Sequence, residues 1–171
     1  MANQRPDPSE YAPYFGRYIS LVPDGAIVEI LQHQTDEYAA IYRVISETKA
    51  AHRYAPDKWS IKQVLGHLCD AERMFAFRGL AASRAEKKML PGFEQDDYVA
   101  AGSFDDRSWT DLVDEFASVR AASIALYRGM SDEMLTRRGH ANNAEVSARA
   151  CGFMIAGHER HHMNLLKERY L

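Results

Sequence analysis

Cysteine is scarce in this chain of 171 residues, with Cys69 and Cys151 the only two. Two thiols make neither a disulfide scaffold nor a cysteine-rich zinc site, and a reducing, cytoplasmic setting is the expectation. An excess of positive charge is also missing: 21 Lys and Arg stand against 24 Asp and Glu, a formal net charge of -3. No basic field exists to hold a polyanion, which argues against a nucleic-acid partner. Nowhere do about eighteen apolar residues follow one another, the length needed to cross a bilayer, and the N-terminus lacks a cationic start followed by an apolar run. Neither membrane spanning nor secretion is expected. A glycine-rich phosphate loop is absent too, which argues against a nucleotide cofactor. What is present is an ordinary globular composition, 46% hydrophobic and 26% charged, in a length that suits a single domain over 1–171.

Three of the six prolines fall within residues 1–22 among scattered aromatics, which predicts an irregular N-terminal arm. Helical spacing then begins. Ile27, Ile30, Leu31, Tyr38, Ile41, Tyr42 and Ile45 mark a first long helix over about 23–50. Ser60 with Gln63 forms a capping box that opens a second over about 61–86. Trp109, Leu112, Val113, Phe116, Val119, Ile124 and Tyr127 mark a third over about 108–129, and a fourth runs over about 147–169. No strand signal competes, so an all-α four-helix bundle is expected. About twenty residues separate the second and third helices. An antiparallel neighbour needs only a short loop, so a link of this length predicts a crossover between parallel helices.

Histidines carry the chemistry. His158 and His162 are four apart on the fourth helix, a spacing that lets two imidazoles reach one cation. They interrupt the apolar stripe of Cys151, Met154, Ile155, Leu165 and Leu166, so both rings face inward. Alone, such a pair is as readily a pair of core histidines bonded to carbonyls. His67 lies on the inward stripe of the second helix with Val64, Ala71 and Met74, and would meet the pair if those helices are neighbours. A glycine precedes both His67 and His158, which suits a close approach of chain to helix. The letters His158-Glu159-Arg160-His161-His162 also spell the H-E-x-x-H of metalloproteases. That reading fails because nine residues remain after His162 and Glu168 stands where an extended motif needs histidine. Glu159 is accordingly expected to be a solvated or rim carboxylate.

Other residues divide between structural and supporting roles. Asp70, one turn beyond His67, is a candidate to orient an imidazole, although a surface carboxylate is the commoner case. Glu72 and Arg120 both fall on mostly apolar faces and can pair between helices, fixing their register. Trp59 and Trp109, each near a helix start, read as anchors at the ends of the core. Neither cysteine is expected to be a ligand.

The run from Lys58 to Arg73, with Trp59-Ser60-Ile61 and Gly66-His67-Leu68 inside it, together with Ile155-Ala156-Gly157-His158-Glu159-Arg160-His161-His162, resembles the DinB-like, YfiT-type superfamily of metal-dependent bundle enzymes. Leu90-Pro91-Gly92-Phe93 and Val119-Arg120-Ala121-Ala122 are similar to one branch of it. The resemblance covers most of the chain. It implies an up-down-down-up bundle and a divalent metal held by His67, His158 and His162, with His161 spare. It further implies a homodimer, and use of water or a low-molecular-weight thiol such as bacillithiol, mycothiol or glutathione. Three imidazoles suit zinc or nickel first, with iron, cobalt, copper and manganese as the others. A cation with an open fourth position would activate water or thiol for attack on a small-molecule electrophile, making a hydrolase or a thiol transferase. The competing expectation is a non-catalytic metal-binding or stress-related bundle.

Overall fold

The computed structural model describes residues 4–171, and the three residues before them belong to the expected arm but lie outside the described part. Short 3-10 turns at Pro8–Glu10 and Pro13–Phe15 lead into α1 (Gly16–Ile19), so the arm carries helical turns rather than being wholly irregular. Pro23 does not start the first long helix. Gly25 adopts φ 145°, a conformation that side chains resist, and α2 begins after that turn at Ile27, running to Val44. Ile45 then leaves helical geometry to bury its side chain, and the Ser46 hydroxyl accepts the Lys49 amide to start α3 (Glu47–Ala50). The expected helix over 23–50 is therefore two helices.

The capping box at Ser60 and Gln63 starts α4 (Ile61–Ser83) as its letters predict. This helix stops three residues early because Ala85 turns into the left-handed region (φ 57°) and the Ala85 and Glu86 amides fold back on the last turn. The link that follows is not irregular throughout. It holds β1 (Met89–Leu90), α5 (Gln95–Ala101) and a 3-10 turn at Phe104–Asp106 before α6 (Trp109–Arg128). After α7 (Asp132–Thr136) comes a hairpin, β2 (Arg138–Ala141) and β3 (Ala144–Ser147), and then α8 (Ala148–Arg169). The expectation of no strands is thus corrected. Asn142 and Asn143 both take positive φ, 49° and 60°, which lets two residues close a hairpin with Ala141 opposite Ala144. β1 adds to the other side of β2 in parallel, giving a three-stranded sheet ordered β1-β2-β3.

α4 packs against α6 and α8, and α2 closes the square against the same two. Side-chain contacts advance together along α4 and α6, from Lys62 with the Arg107 carbonyl, to Arg73 with Glu115, to Gly79 beneath the Tyr127 hydroxyl. The apolar interior forms two clusters. One centres on Leu31, Phe75, Tyr127 and Met154 near the sheet, the other on Tyr42, Leu65, Leu112 and Leu166 at the far end. Between them every long helix contributes a buried polar group, Gln34, His67, Glu72, Arg120, His158, Glu159 and His162. No helix of the described residues is long and apolar enough to cross a membrane.

Candidate metal centre

Two glycines set the local architecture. A Cβ on Gly66 would overlap the Phe104 ring at 2.3 Å, and one on Gly157 would sit 2.2 Å from the Tyr18 carbonyl oxygen. Neither position tolerates a side chain without displacing a packed ring or the arm's backbone. The arm thereby lies directly on α8 beside His158, and the Tyr18 ring stands edge-on to His158 with centroids 5.2 Å apart. From the start of α4, the Trp59 ring closes on His67 at 4.9 Å.

Within this frame the three expected imidazoles meet. Nε2 of His158 lies 3.1 Å from Nε2 of His67 and 3.2 Å from Nε2 of His162. All three residues are buried, and among the described residues they form the group whose ligand atoms could converge on one ion. Burial holds the rings neutral. It pushes His67 down to about 4, and pushes His158 and His162 well below the ordinary histidine value, with mutual repulsion adding to the effect.

A neutral imidazole has one N–H and one lone pair. If every Nε2 is unprotonated, three lone pairs face one another without a donor; if one carries hydrogen, it serves one neighbour and leaves the other unserved. A cation satisfies all three at once. Ligand distances of about 2.1 Å place neighbouring nitrogens about 3.4 Å apart in a tetrahedron and about 3.0 Å apart in an octahedron, and the observed spacings fall between these. The donor set therefore fits a divalent ion without choosing the geometry. Nδ1 of His162 is buried with no hydrogen-bond partner.

His67 and His158 form the inner wall of a cleft of about 400 Å³. Its sides come from the arm (Tyr14, Phe15, Tyr18), from Phe75 and Arg78 of α4, from Phe93 to Asp96 after the crossover strand, and from Asn142 at the hairpin tip. His161 is exposed and packs on the Tyr18 ring, outside the trio. Asp70 stands half-buried on α4 beside Arg73 at 3.7 Å, with burial raising its carboxyl above the usual range. Cys69 and Cys151 are buried free thiols outside the trio, their pKa raised by burial. Trp109 is buried at the start of α6 and donates to the Tyr42 carbonyl, while Trp59 is half-buried against His67.

Glu159 is the main correction. Its side chain is inside, 1% exposed, not on the rim. Arg120 explains why: the guanidinium grips Glu72 at 2.8–3.2 Å through two nitrogens and reaches Glu159 Oε2 at 2.9 Å. Gln34 and Tyr42 of α2 donate to the two oxygens of Glu159 at 2.5 and 3.3 Å. Burial still pushes the Glu159 carboxyl up, against the pull of Arg120. The expected Glu72–Arg120 pair thus exists, widened into a network joining α2, α4, α6 and α8. Gln34 sits on the apolar stripe of Leu31 and Tyr38, the same signal that drew attention to Glu72 and Arg120.

Residues 30–166 match the DinB superfamily, and the chain belongs to that family. No curated protein sequence matches significantly. Among solved structures, the chain is similar to YfiT from Bacillus subtilis, described as a probable metal-dependent hydrolase with an unusual four-helix bundle topology. The TM-score is 0.70 at 14% identity, over 95% of this chain and 89% of that one. It is also similar to the mycothiol-dependent maleylpyruvate isomerase, with a TM-score of 0.64 and 10% identity over 86% of this chain and 58% of the other. A DinB-like protein, YjoA of Bacillus subtilis, aligns with a TM-score of 0.59 at 18% identity, over 82% and 85% of the two chains. At these identities the likeness is one of fold.

Proposed function

We propose that the protein is a metal-dependent enzyme in which His67, His158 and His162 hold a divalent ion, zinc or nickel first, at the end of a cleft for a small electrophilic substrate. The observation that carries this reading is the convergence of three neutral, buried imidazole nitrogens, two of them, on His67 and His158, in the wall of an open cleft. When bound, such an ion lowers the pKa of a water or thiol ligand and stabilises negative charge developing beside it. The chain's own residues would do the rest. The neutral imidazoles present lone pairs without having to lose protons, and Tyr18, edge-on to His158, and Trp59, tilted against His67, fix the orientation of those rings. The aromatic walls, Phe15, Phe75 and Phe93, hold an organic substrate and exclude water from it.

A YfiT-like hydrolysis and a thiol-dependent transfer or isomerisation are the two chemistries that the similar structures bring to mind. The open cleft favours either over a metal that merely staples the bundle. The reading also takes the bundle as up-down-down-up in one domain, acting as a homodimer in the cytoplasm. Elemental analysis of purified protein tests the centre. About one equivalent of transition metal, lost on His67→Ala, His158→Ala and His162→Ala singly, is expected. Full metal retention in all three variants overturns the assignment. Activity toward candidate electrophiles, with and without added thiol, that disappears on chelation then separates hydrolase from transferase.

A further inference from the structure

Arg78 lines the cleft but takes no part in the metal centre. It lies on the same face of α4 as His67, Ala71 and Phe75, three helical turns on, roughly 16 Å from His67 between Cα atoms. The residue is 7% exposed, and a cation so deeply placed is normally met by a carboxylate. None meets it here. One donor, Nη2, reaches the Pro91 carbonyl at 3.1 Å, Nε is buried with no partner, and no acid of the described residues pairs with the guanidinium. Glu94 and Asp96, the acids of the cleft, are exposed at its mouth. The Phe93 ring lies 5.9 Å from the guanidinium carbon, and burial lowers the arginine below its ordinary value. A desolvated cation with no acid partner, in the wall of a cleft lined by aromatic rings, is a receptor for an anion.

We propose that the substrate of this cleft is a small carboxylate with an apolar middle, its carboxylate held by Arg78 and its reacting end at the imidazoles. This rests on reading the cleft as the active site, but the anchor is testable without turnover. The probes are 3-phenylpropionate and its neutral isostere 3-phenylpropionamide, titrated by calorimetry into the protein as isolated and after chelator treatment. A charge-assisted pair predicts at least about tenfold tighter binding of the carboxylate in both preparations. Arg78→Met should reduce that preference to under about twofold while leaving the amide's affinity nearly unchanged, and Arg78→Lys should keep part of it.

If Arg78 only tethers the crossover, Arg78→Met melts earlier and the preference survives, which overturns the proposal. A preference that vanishes on chelation and ignores Arg78 places the carboxylate on the metal, refuting the anchor and leaving the metal reading intact. A preference that depends on Arg78 in protein that takes up no metal does the reverse. Should Arg78→Met fail to fold, Arg78→Lys decides: a carboxylate preference reduced from the parent's supports the proposal, and an unchanged preference overturns it. Absence of saturable binding by either probe also overturns it.

Discussion

Arg120→Met takes from the polar layer the cation that Glu72 and Glu159 share. The two acids then fare differently. Glu159 keeps the Gln34 and Tyr42 donors, whereas the hydrogen bonds to Glu72 all come from Arg120. With the one cation removed from between two buried carboxylates, one carboxyl of the pair takes up a proton when the variant folds. Taking a glutamate's ordinary value of about 4.3, protonation at pH 7 costs about 3.7 kcal/mol, and at pH 5 about 1 kcal/mol. That matches the loss of about 3–5 kcal/mol found when one member of a buried pair is removed. The pair left without its cation holds a proton in the folded variant that the unfolded chain releases. The variant's stability is therefore fuller at low pH and is lost as pH rises, so the deficit against the parent should shrink by about 2.7 kcal/mol between pH 7 and pH 5. Urea denaturation at both pH values, with equal m-values, measures this. A deficit that does not change with pH would refute the idea that an uncompensated carboxylate is its cause.

Three further outcomes are expected. Gly157→Ala gains about 1 kcal/mol of helix propensity yet should destabilise the protein by about 1–3 kcal/mol, because the new methyl meets the Tyr18 carbonyl; a rise in melting temperature would show that the arm gives way freely. Metal-free protein should lose stability as pH falls from about 6.5 toward 4, since the unfolded chain binds protons that buried His67 refuses. His67 alone accounts for on the order of 3 kcal/mol, so metal-free His67→Asn should show a flatter profile over that window, read by denaturation at stepped pH. Asn143→Val forces a β-branched residue to φ 60° and should cost about 1–2 kcal/mol, while Asn143→Gly should be neutral or slightly stabilising; equal melting temperatures for the two would argue against the tight hairpin.

Periodicity and capping chemistry carried much of this protein in its letters. Ser60, Ser108 and Ser147 each cap a long helix, because a side chain that accepts an amide three residues on is a local event. His158 and His162 share a face by helix geometry alone, and polar letters on apolar stripes mark Glu72 and Arg120 as buried. Asn142 and Asn143 are of a residue type that accepts positive φ, a turn signal that the helical reading passes over. What the sequence could not determine lies between segments distant along the chain. His67 meets His158 across 91 residues because α4 and α8 pack, and Glu159 is drawn inside because three other helices place Arg120, Glu72, Gln34 and Tyr42 around it. The arm lies over His158 only because Gly157 admits the Tyr18 backbone, and the cleft beside Arg78 is walled by segments far apart along the chain. Local hydrogen bonding is written in a few adjacent residues, whereas a charge's partner and a cavity's walls are decided by which surfaces the whole chain brings into contact.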